Sequence, residues 1–276
     1  MIRAALLQLN VTADPQANLV TTLGYIEDAV KSGATFILTP EVTNCIAPNR
    51  AYLDRNLRSE SDDQTLAAFK EKAKKHGIWL LLGSIAVKTD DPDDRFANRS
   101  FLISPKGEVM ARYDKMHMFD VSISATESYR ESANYRPGKR AVVADMEGTK
   151  IGLSICYDVR FPELYQRLAQ AGAQILTVPS AFSPVTGAAH WEALLRARAI
   201  ETGCFVLAPA QTGVHSDAEK PRKSWGHSLA ISPWGEVLAD AGTVPGITMV
   251  EIDVADVDAA RGRIPSLSHK VEFSGP

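Results

Sequence analysis

Ile151-Gly152-Leu153-Ser154-Ile155-Cys156-Tyr157-Asp158-Val159-Arg160-Phe161-Pro162-Glu163 is the stretch on which the reading of this chain turns. Ile151, Leu153 and Ile155 alternate with small residues, the period of a strand buried on at least one face. Phe161-Pro162-Glu163 opens a helical pattern, with proline at a first-turn position where no N–H is needed. Cys156 falls between them, where the strand has stopped and the helix has yet to begin. A side chain at such a bend projects from the sheet edge, and the turn's backbone N–H groups face whatever binds there. That suits a thiolate nucleophile beside an oxyanion site. A packed core cysteine fits the same residues until a base and a cation are found for it.

Outward from this stretch the chain alternates strand and helix. Residues 2–9 read as a first strand. Asp14-Pro15 then caps a helix to about Ser32 with a Leu19, Leu23, Ile26, Val30 stripe. Residues 35–38 form a short buried strand, 61–76 a helix with Leu66, Phe69 and Ala73 inward, and 78–85 another buried strand. Residues 96–104 and 108–113 pair as a hairpin. The second half repeats the scheme: the Cys156 strand, a helix to about Ala171, a strand at 174–178, a helix at 188–202 and a strand from Cys204. A hairpin of 228–231 with 237–239 follows, then a last strand at 246–252. Residues 44–58 and 211–222 read as polar loops, the first near the mouth of a site, and 121–135 has no clear period. The scheme predicts one α/β domain over 1–276, two packed sheets with helices outside, and about 265–276 as a C-terminal arm.

Composition excludes several classes of function. The chain is 276 residues long, 45% hydrophobic and 23% charged, ordinary for a protein with a sizeable core. Its net charge of −3 comes with no basic block, so nothing points to nucleic acid or to an anionic membrane surface. No apolar run reaches membrane-spanning length. Cys45, Cys156 and Cys204 show no close pairing, which fits a reducing, cytoplasmic setting, and no CxxC supplies a resolving thiol for redox chemistry. The Asp90–Asp94 run reads as a solvated turn rather than a metal site.

Two further residues stand where strands end. Glu41 follows a buried strand directly in Thr39-Pro40-Glu41, though an exposed loop glutamate fits too. Lys115, in Tyr113-Asp114-Lys115-Met116-His117-Met118-Phe119-Asp120, lies among apolar side chains and is partly desolvated unless it points to solvent. Arg198 falls on the apolar arc of Trp191, Leu194 and Leu195, so it needs a partner. It is either a strut for Glu41 or Glu131 or a contact for an anionic substrate. Cys204, at the start of a strand, reads as a core thiol.

The three ordered motifs around Glu41, Lys115 and Cys156, supported by Gly187-Ala188-Ala189-His190-Trp191-Glu192, resemble the nitrilase superfamily of carbon–nitrogen hydrolases. Within it the chain is most similar to the Nit branch, with its deaminated-glutathione amidases and omega-amidases. Ala210-Gln211-Thr212-Gly213-Val214-His215 looks more like the former. The resemblance implies a four-layer αββα sandwich, a Glu-Lys-Cys triad, no metal or other cofactor, and assembly as at least a homodimer. It makes Cys156 the nucleophile, Glu41 the general base and Lys115 the cation on the oxyanion. The backbone N–H of Tyr157 becomes a second oxyanion donor, and Glu131 an additional glutamate holding Lys115 and the amide. Arg160, Phe182, Thr186, His190 and Arg198 become candidate substrate contacts, with Arg50 and Arg222 in loops as further candidates for a substrate carboxylate. The implied reaction is hydrolysis of a small 2-oxo-acid amide by water through a Cys thioester, with release of ammonia. Omega-amidase, nitrile or N-carbamoyl hydrolysis, and a non-catalytic interaction subunit of the same fold, remain open.

Overall fold

A computed structural model of the chain describes residues 1–124, 127–215, 221–269, 271–272 and 274–275. The first half runs β1 (Ile2–Gln8), α1 (Pro15–Lys31), β2 (Phe36–Leu38), α2 (Arg50–Asn56), α3 (Gln64–His76), β3 (Trp79–Val87), β4 (Ala97–Ile103) and β5 (Val109–Asp114). After the short hairpin β6 (Asp120–Ser122) and β7 (Ser128–Arg130), the second half begins with β8 (Val142–Met146) and β9 (Thr149–Leu153). It continues with α4 (Pro162–Gln170), β10 (Ile175–Thr177), α5 (Pro184–Thr202) and β11 (Phe205–Ala208). A second short hairpin, β12 (Thr212–Val214) and β13 (Lys223–Trp225), precedes β14 (Leu229–Ile231), β15 (Val237–Asp240), β16 (Gly246–Ile252) and α6 (Ala255–Arg263).

Two six-stranded sheets result, ordered β16-β1-β2-β3-β4-β5 and β15-β14-β11-β10-β9-β8. Each has a parallel trio at its centre, β1-β2-β3 in one and β9-β10-β11 in the other, flanked by antiparallel strands. The side-chain period of two explains the layering. On β1, Ala4 and Leu6 join a core shared with Leu153, Ile175 and Phe205 of the other sheet. Ala5 and Leu7, on the opposite face, pack with Leu19 and Ile26 of α1 and Leu66 and Phe69 of α3. On β9, Gly152 turns toward α4, where an added Cβ would lie 3.2 Å from that of Leu168. The result is the expected order of helix, sheet, sheet, helix, with the carboxyl ends of β2, β9 and β10 supplying the residues around Cys156.

Local chemistry sets the helix ends. Asp14 accepts the N–H groups of Gln16 and Ala17, and Pro15 occupies the first turn of α1. Asp63 caps α3 and Gly77 stops it at φ 63°.

Several expectations need correction. The loop at 44–58 contains α2, capped by Asn49, and only one of its side chains, Leu53, is buried, too few to leave a period. The helix expected at 61–76 is a one-turn 3₁₀ segment, Glu60–Asp62, followed by α3. α5 begins at Pro184, four residues before the expected start, because proline at its first turn extends the helix without needing a donor. Segment 121–135 overlaps β6 and holds β7, and segment 211–222 holds β12 with its partner β13 directly after it; these three-residue strands are too brief to show alternation. Of those segments, residues 125–126 and 216–220 lie outside the described residues. α6 leaves no period in the sequence, since only Val257 of it is buried. In the expected arm, Leu267 packs against the main core, and residues 270, 273 and 276 lie outside the described residues. No helix among the described residues is long and apolar enough to cross a membrane.

Candidate active site

Cys156 opens a 3₁₀ turn, Cys156–Arg160, directly after β9, with φ at +50°. That left-handed conformation is costly for a side chain with a Cβ, so the surroundings must enforce it. Asp158, fully buried, does so. It accepts from Ile155 N at 2.9 Å, Tyr113 Oη at 2.6 Å, His117 N at 3.0 Å and His117 Nδ1 at 2.7 Å. Cys156 N donates to Pro179 O at 2.9 Å, tying the turn to the end of β10. The thiol is thereby turned into a cavity rather than into the sheet. Tyr157 follows in the first turn, where an N–H has no helical acceptor.

Glu41 reaches the same place from the other sheet. Its neighbour Val42 also has positive φ, +48°, in a β-branched residue that resists it. Ser84 Oγ accepts Val42 N at 2.8 Å and Gln211 Nε2 donates to Glu41 O at 2.9 Å, fixing the bend. Gly83 allows the close approach, since a Cβ there would collide with the Thr39 carbonyl. Lys115 leaves β5 with its main chain held by Asn98 O at 2.9 Å.

The side chains converge. Lys115 Nζ lies 2.9 Å from Glu41 Oε1 and 2.8 and 3.0 Å from the two Glu131 oxygens, which accounts for its three protons. Ala181 N donates to Glu41 Oε2 at 2.8 Å, and Phe119 N to Glu131 Oε2 at 2.7 Å. Asn98 Nδ2 bridges both carboxylates, 2.9 Å from Glu41 Oε1 and 3.4 Å from Glu131 Oε1. Its Oδ1 is buried and accepts no hydrogen bond among the described residues.

Electrostatics set the resting charges. Burial disfavours ionisation of Glu41, but the Lys115 ammonium overrides it and holds the carboxyl below its usual range. Burial also works against the Lys115 charge, and there Glu131 and Glu41 win, raising its pKa well above normal. For Cys156, burial and then the Glu41 carboxylate push the thiol up, with Lys115 pulling the other way. The cluster therefore rests as carboxylate, ammonium and neutral thiol.

A cavity of about 310 Å³ is lined by Glu41, Lys115, Glu131, Cys156 and Tyr157, together with Phe182 and Thr186. Of the remaining candidates, Arg160, His190, Arg198 and Arg50 do not line it. Arg160 stacks outside, 5.7 Å from the Tyr157 ring and 5.4 Å from that of Phe182, and its Nη1 lies 3.3 Å from His190 Nδ1. Arg198 is a strut, but not for either glutamate. Its Nε donates to Val159 O at 2.8 Å and its Nη1 pairs with Glu201 at 2.8 Å. The buried face of α5 lies beneath the Cys156 turn, on the outer side of its sheet, so an arginine there cannot reach the cavity. Arg50 pairs with Asp54 at 2.9 Å and also stays out, whereas Arg222 lines the cavity. Cys204 is a fully buried core thiol, as expected. Among the described residues no cluster of three or more His, Cys, Asp or Glu side chains is arranged to hold a metal ion.

Sequence reasoning missed Asn98 and the N–H groups of Ala181 and Phe119. A signal existed for Asn98: a primary amide in an otherwise apolar strand needs partners. None exists for main-chain donors.

The chain matches the family model for carbon-nitrogen hydrolase over residues 3–262. It is 38% identical over 269 residues to a deaminated glutathione amidase of Yersinia enterocolitica, covering 96% of this chain and 91% of that one. The fold superposes on Nit3 of Saccharomyces cerevisiae, a member of branch 10 of the nitrilase superfamily, with a TM-score of 0.82 at 29% identity, covering 96% and 94% of the two chains. It also superposes on the Caenorhabditis elegans NitFhit protein with a TM-score of 0.86 at 36% identity, covering 98% of this chain and 65% of that one. With both a near-complete family match and a relative this similar over nine-tenths of its length, the chain belongs to the carbon–nitrogen hydrolases of the nitrilase superfamily.

Proposed function

We propose that the chain is a thiol amidase acting on a small 2-oxo-acid amide, deaminated glutathione first among them. The observation that carries this is a neutral thiol, an ionised carboxylate and a buried ammonium meeting in one cavity. Glu41 takes the Cys156 proton as sulfur attacks the amide carbon. The oxyanion forms against Lys115 and the N–H of Tyr157, donors worth about 100- to 1000-fold in rate when fixed in advance. Glu41 returns the proton to the leaving nitrogen, the C–N bond breaks and a thioester remains. Water, deprotonated by Glu41, attacks the thioester and releases the acid and the thiol. Glu131 holds Lys115 in place throughout. The substrate rests on the relative's name and on a cavity at the small-molecule end of the usual range.

The implied release of ammonia applies only to primary amides. The amides of deaminated glutathione are secondary, so cleavage next to the oxo-acyl group frees an amine, cysteinylglycine. The assay is therefore 2-oxoglutarate release from deaminated glutathione and from 2-oxoglutaramate, with Cys156→Ala as blank. Preference for the first supports the proposal, and preference for the second makes the chain an omega-amidase. Full activity in folded Cys156→Ala would refute the nucleophile.

We also read residues 1–276 as one hydrolase domain, since both sheets contribute to one core. The inferred homodimer is supported by exposed Ile200, Trp234, Leu238 and Ile264, with Ile200 beside Gly235 and Arg263 3.7 Å above the Trp234 ring. Sedimentation velocity tests it. A cytoplasmic setting agrees with three buried free thiols, and cell fractionation tests that.

A further inference from the structure

The cavity carries a charge gradient that the proposed chemistry leaves unused. At the inner end Lys115 sits between Glu41 and Glu131, so the three groups sum to one negative charge. The other charged side chains lining it are Arg130 and Arg222, both exposed at the mouth. Neither is held in an ion pair or side-chain hydrogen bond among the described residues. The nearby Asp120 accepts from Ser132 N at 3.0 Å, and the Arg130 charge acts on it without a direct contact among the described residues. Two cations with no ion pair among the described residues therefore line a cavity of a chain whose net charge is −3.

The position of Arg222 is built rather than incidental. His215 N donates to Arg222 O at 3.0 Å, and Lys223 pairs with Val214 in the β12–β13 hairpin. The buried His215 ring pins that hairpin, bonding Val11 O at 2.9 Å and Ser224 Oγ at 2.8 Å. Trp225 packs so tightly over Gly187 that no Cβ fits there. A fixed backbone thus presents the Arg222 side chain to the cavity that holds Cys156.

We propose that Arg222, assisted by Arg130, is the receptor for a substrate carboxylate and selects anionic amides over neutral ones. This rests on the amidase reading. A guanidinium and a carboxylate make paired, charge-assisted hydrogen bonds, and solvent at the mouth limits the gain to about tenfold. The carboxylate belongs either to the oxo-acyl group or to the leaving group, and the two substrates separate these, because 2-oxoglutaramate has only the former.

The test uses Cys156 as its own probe. Alkylation of the intact protein by iodoacetate, an anion, is compared with that by neutral iodoacetamide, with the modified residue mapped by peptide mass. Arg222→Ala is expected to lower the iodoacetate rate about tenfold relative to iodoacetamide, and Arg222→Lys, which keeps the charge, to restore most of it. An unchanged ratio in folded Arg222→Ala overturns the proposal. With turnover, a KM raised for both substrates assigns the acyl carboxylate, and a KM raised only for deaminated glutathione assigns the leaving group. A KM raised for neither overturns the proposal. If the wild type hydrolyses neither substrate, the amidase reading fails while the alkylation ratio still decides on Arg222.

Discussion

The hairpin that carries Arg222 should make the protein acid-sensitive in a defined window. His215 is buried, and burial drives its pKa down from 6.5 to about 4. Its Nδ1 faces the Val11 carbonyl, so that nitrogen carries the proton, and Nε2 accepts from Ser224 Oγ. Above about pH 6.5 the ring is neutral in both folded and unfolded chains, and it costs nothing. Between about 6.5 and about 4 the unfolded chain takes up a proton that the folded chain refuses, so stability is lost as pH falls. Below about 4 the penalty is constant. The gap of about 2.5 pH units is worth about 3 kcal/mol in full, of which about 2 kcal/mol is lost by pH 5 at 1.36 kcal/mol per unit. Urea unfolding of wild type and His215→Gln at pH 7.5 and pH 5.0 isolates this, because the static cost of the substitution cancels in the double difference. Wild type should lose about 2 kcal/mol more than the variant between the two pH values. Equal losses in the two proteins would refute a neutral buried His215.

Other substitutions test the cluster and its support. Lys115→Met leaves Glu41 and Glu131 buried without their cation, which should cost about 3–5 kcal/mol of stability by calorimetry or denaturant titration. It should also lower turnover at least about 100-fold. Asn98→Ala removes a donor to the ionised form of Glu41, so kcat/KM should fall about tenfold and the acid limb of its pH profile should move upward. An unmoved limb would reduce Asn98 to packing. Glu41→Gln should abolish turnover yet speed iodoacetamide labelling of Cys156 near neutrality, because burial still raises the thiol pKa but the Glu41 charge that adds to it is gone while Lys115 remains. Gly152→Ala places a Cβ 2.9 Å from Leu176 Cδ2 and should cost about 1–3 kcal/mol through overpacking between β9 and α4.

What the sequence made legible follows from the range of the interactions involved. Period-two runs such as Ile151-Gly152-Leu153 and capped helices such as Asp14-Pro15 are local, so the two-sheet architecture could be read directly. Glu41 and Cys156 could be singled out because each follows a buried strand, and carboxyl ends of strands are where open sheets bind ligands, and Lys115 because its neighbours Met116, Met118 and Phe119 are apolar. Arg198 shows the limit. Its wheel position established that it is buried, but not whether the buried face of α5 points at the cavity or beneath it. That depends on which layer the helix occupies, a tertiary fact. α2, α6 and the two short hairpins escaped notice for the opposite reason, having too few buried side chains to impose a period.

The resting charge state bears on the order of events in the site. A nucleophile with a raised pKa looks wrong for a thiol enzyme, since the thiolate is the reactive form. Burial raises it most, and the next contributor, the adjacent ionised Glu41, is also the base that removes its proton. In the empty cavity, moving the proton to Glu41 would leave a buried thiolate and take one of the two carboxylate charges from Lys115. With a substrate carbonyl present, the charge passes onward to the oxyanion beside Lys115, where an ammonium is already fixed. Thiolate formation is then coupled to attack instead of preceding it. The enzyme keeps a protonated thiol, less open to oxidation, until an amide occupies the site. Labelling of wild-type Cys156 by iodoacetamide at pH 7 should accordingly be slow for an enzyme thiol, and faster in Glu41→Gln. Fast labelling of the wild type, with a thiol titrating well below the ordinary range, would mean a preformed thiolate and would reverse the order argued here.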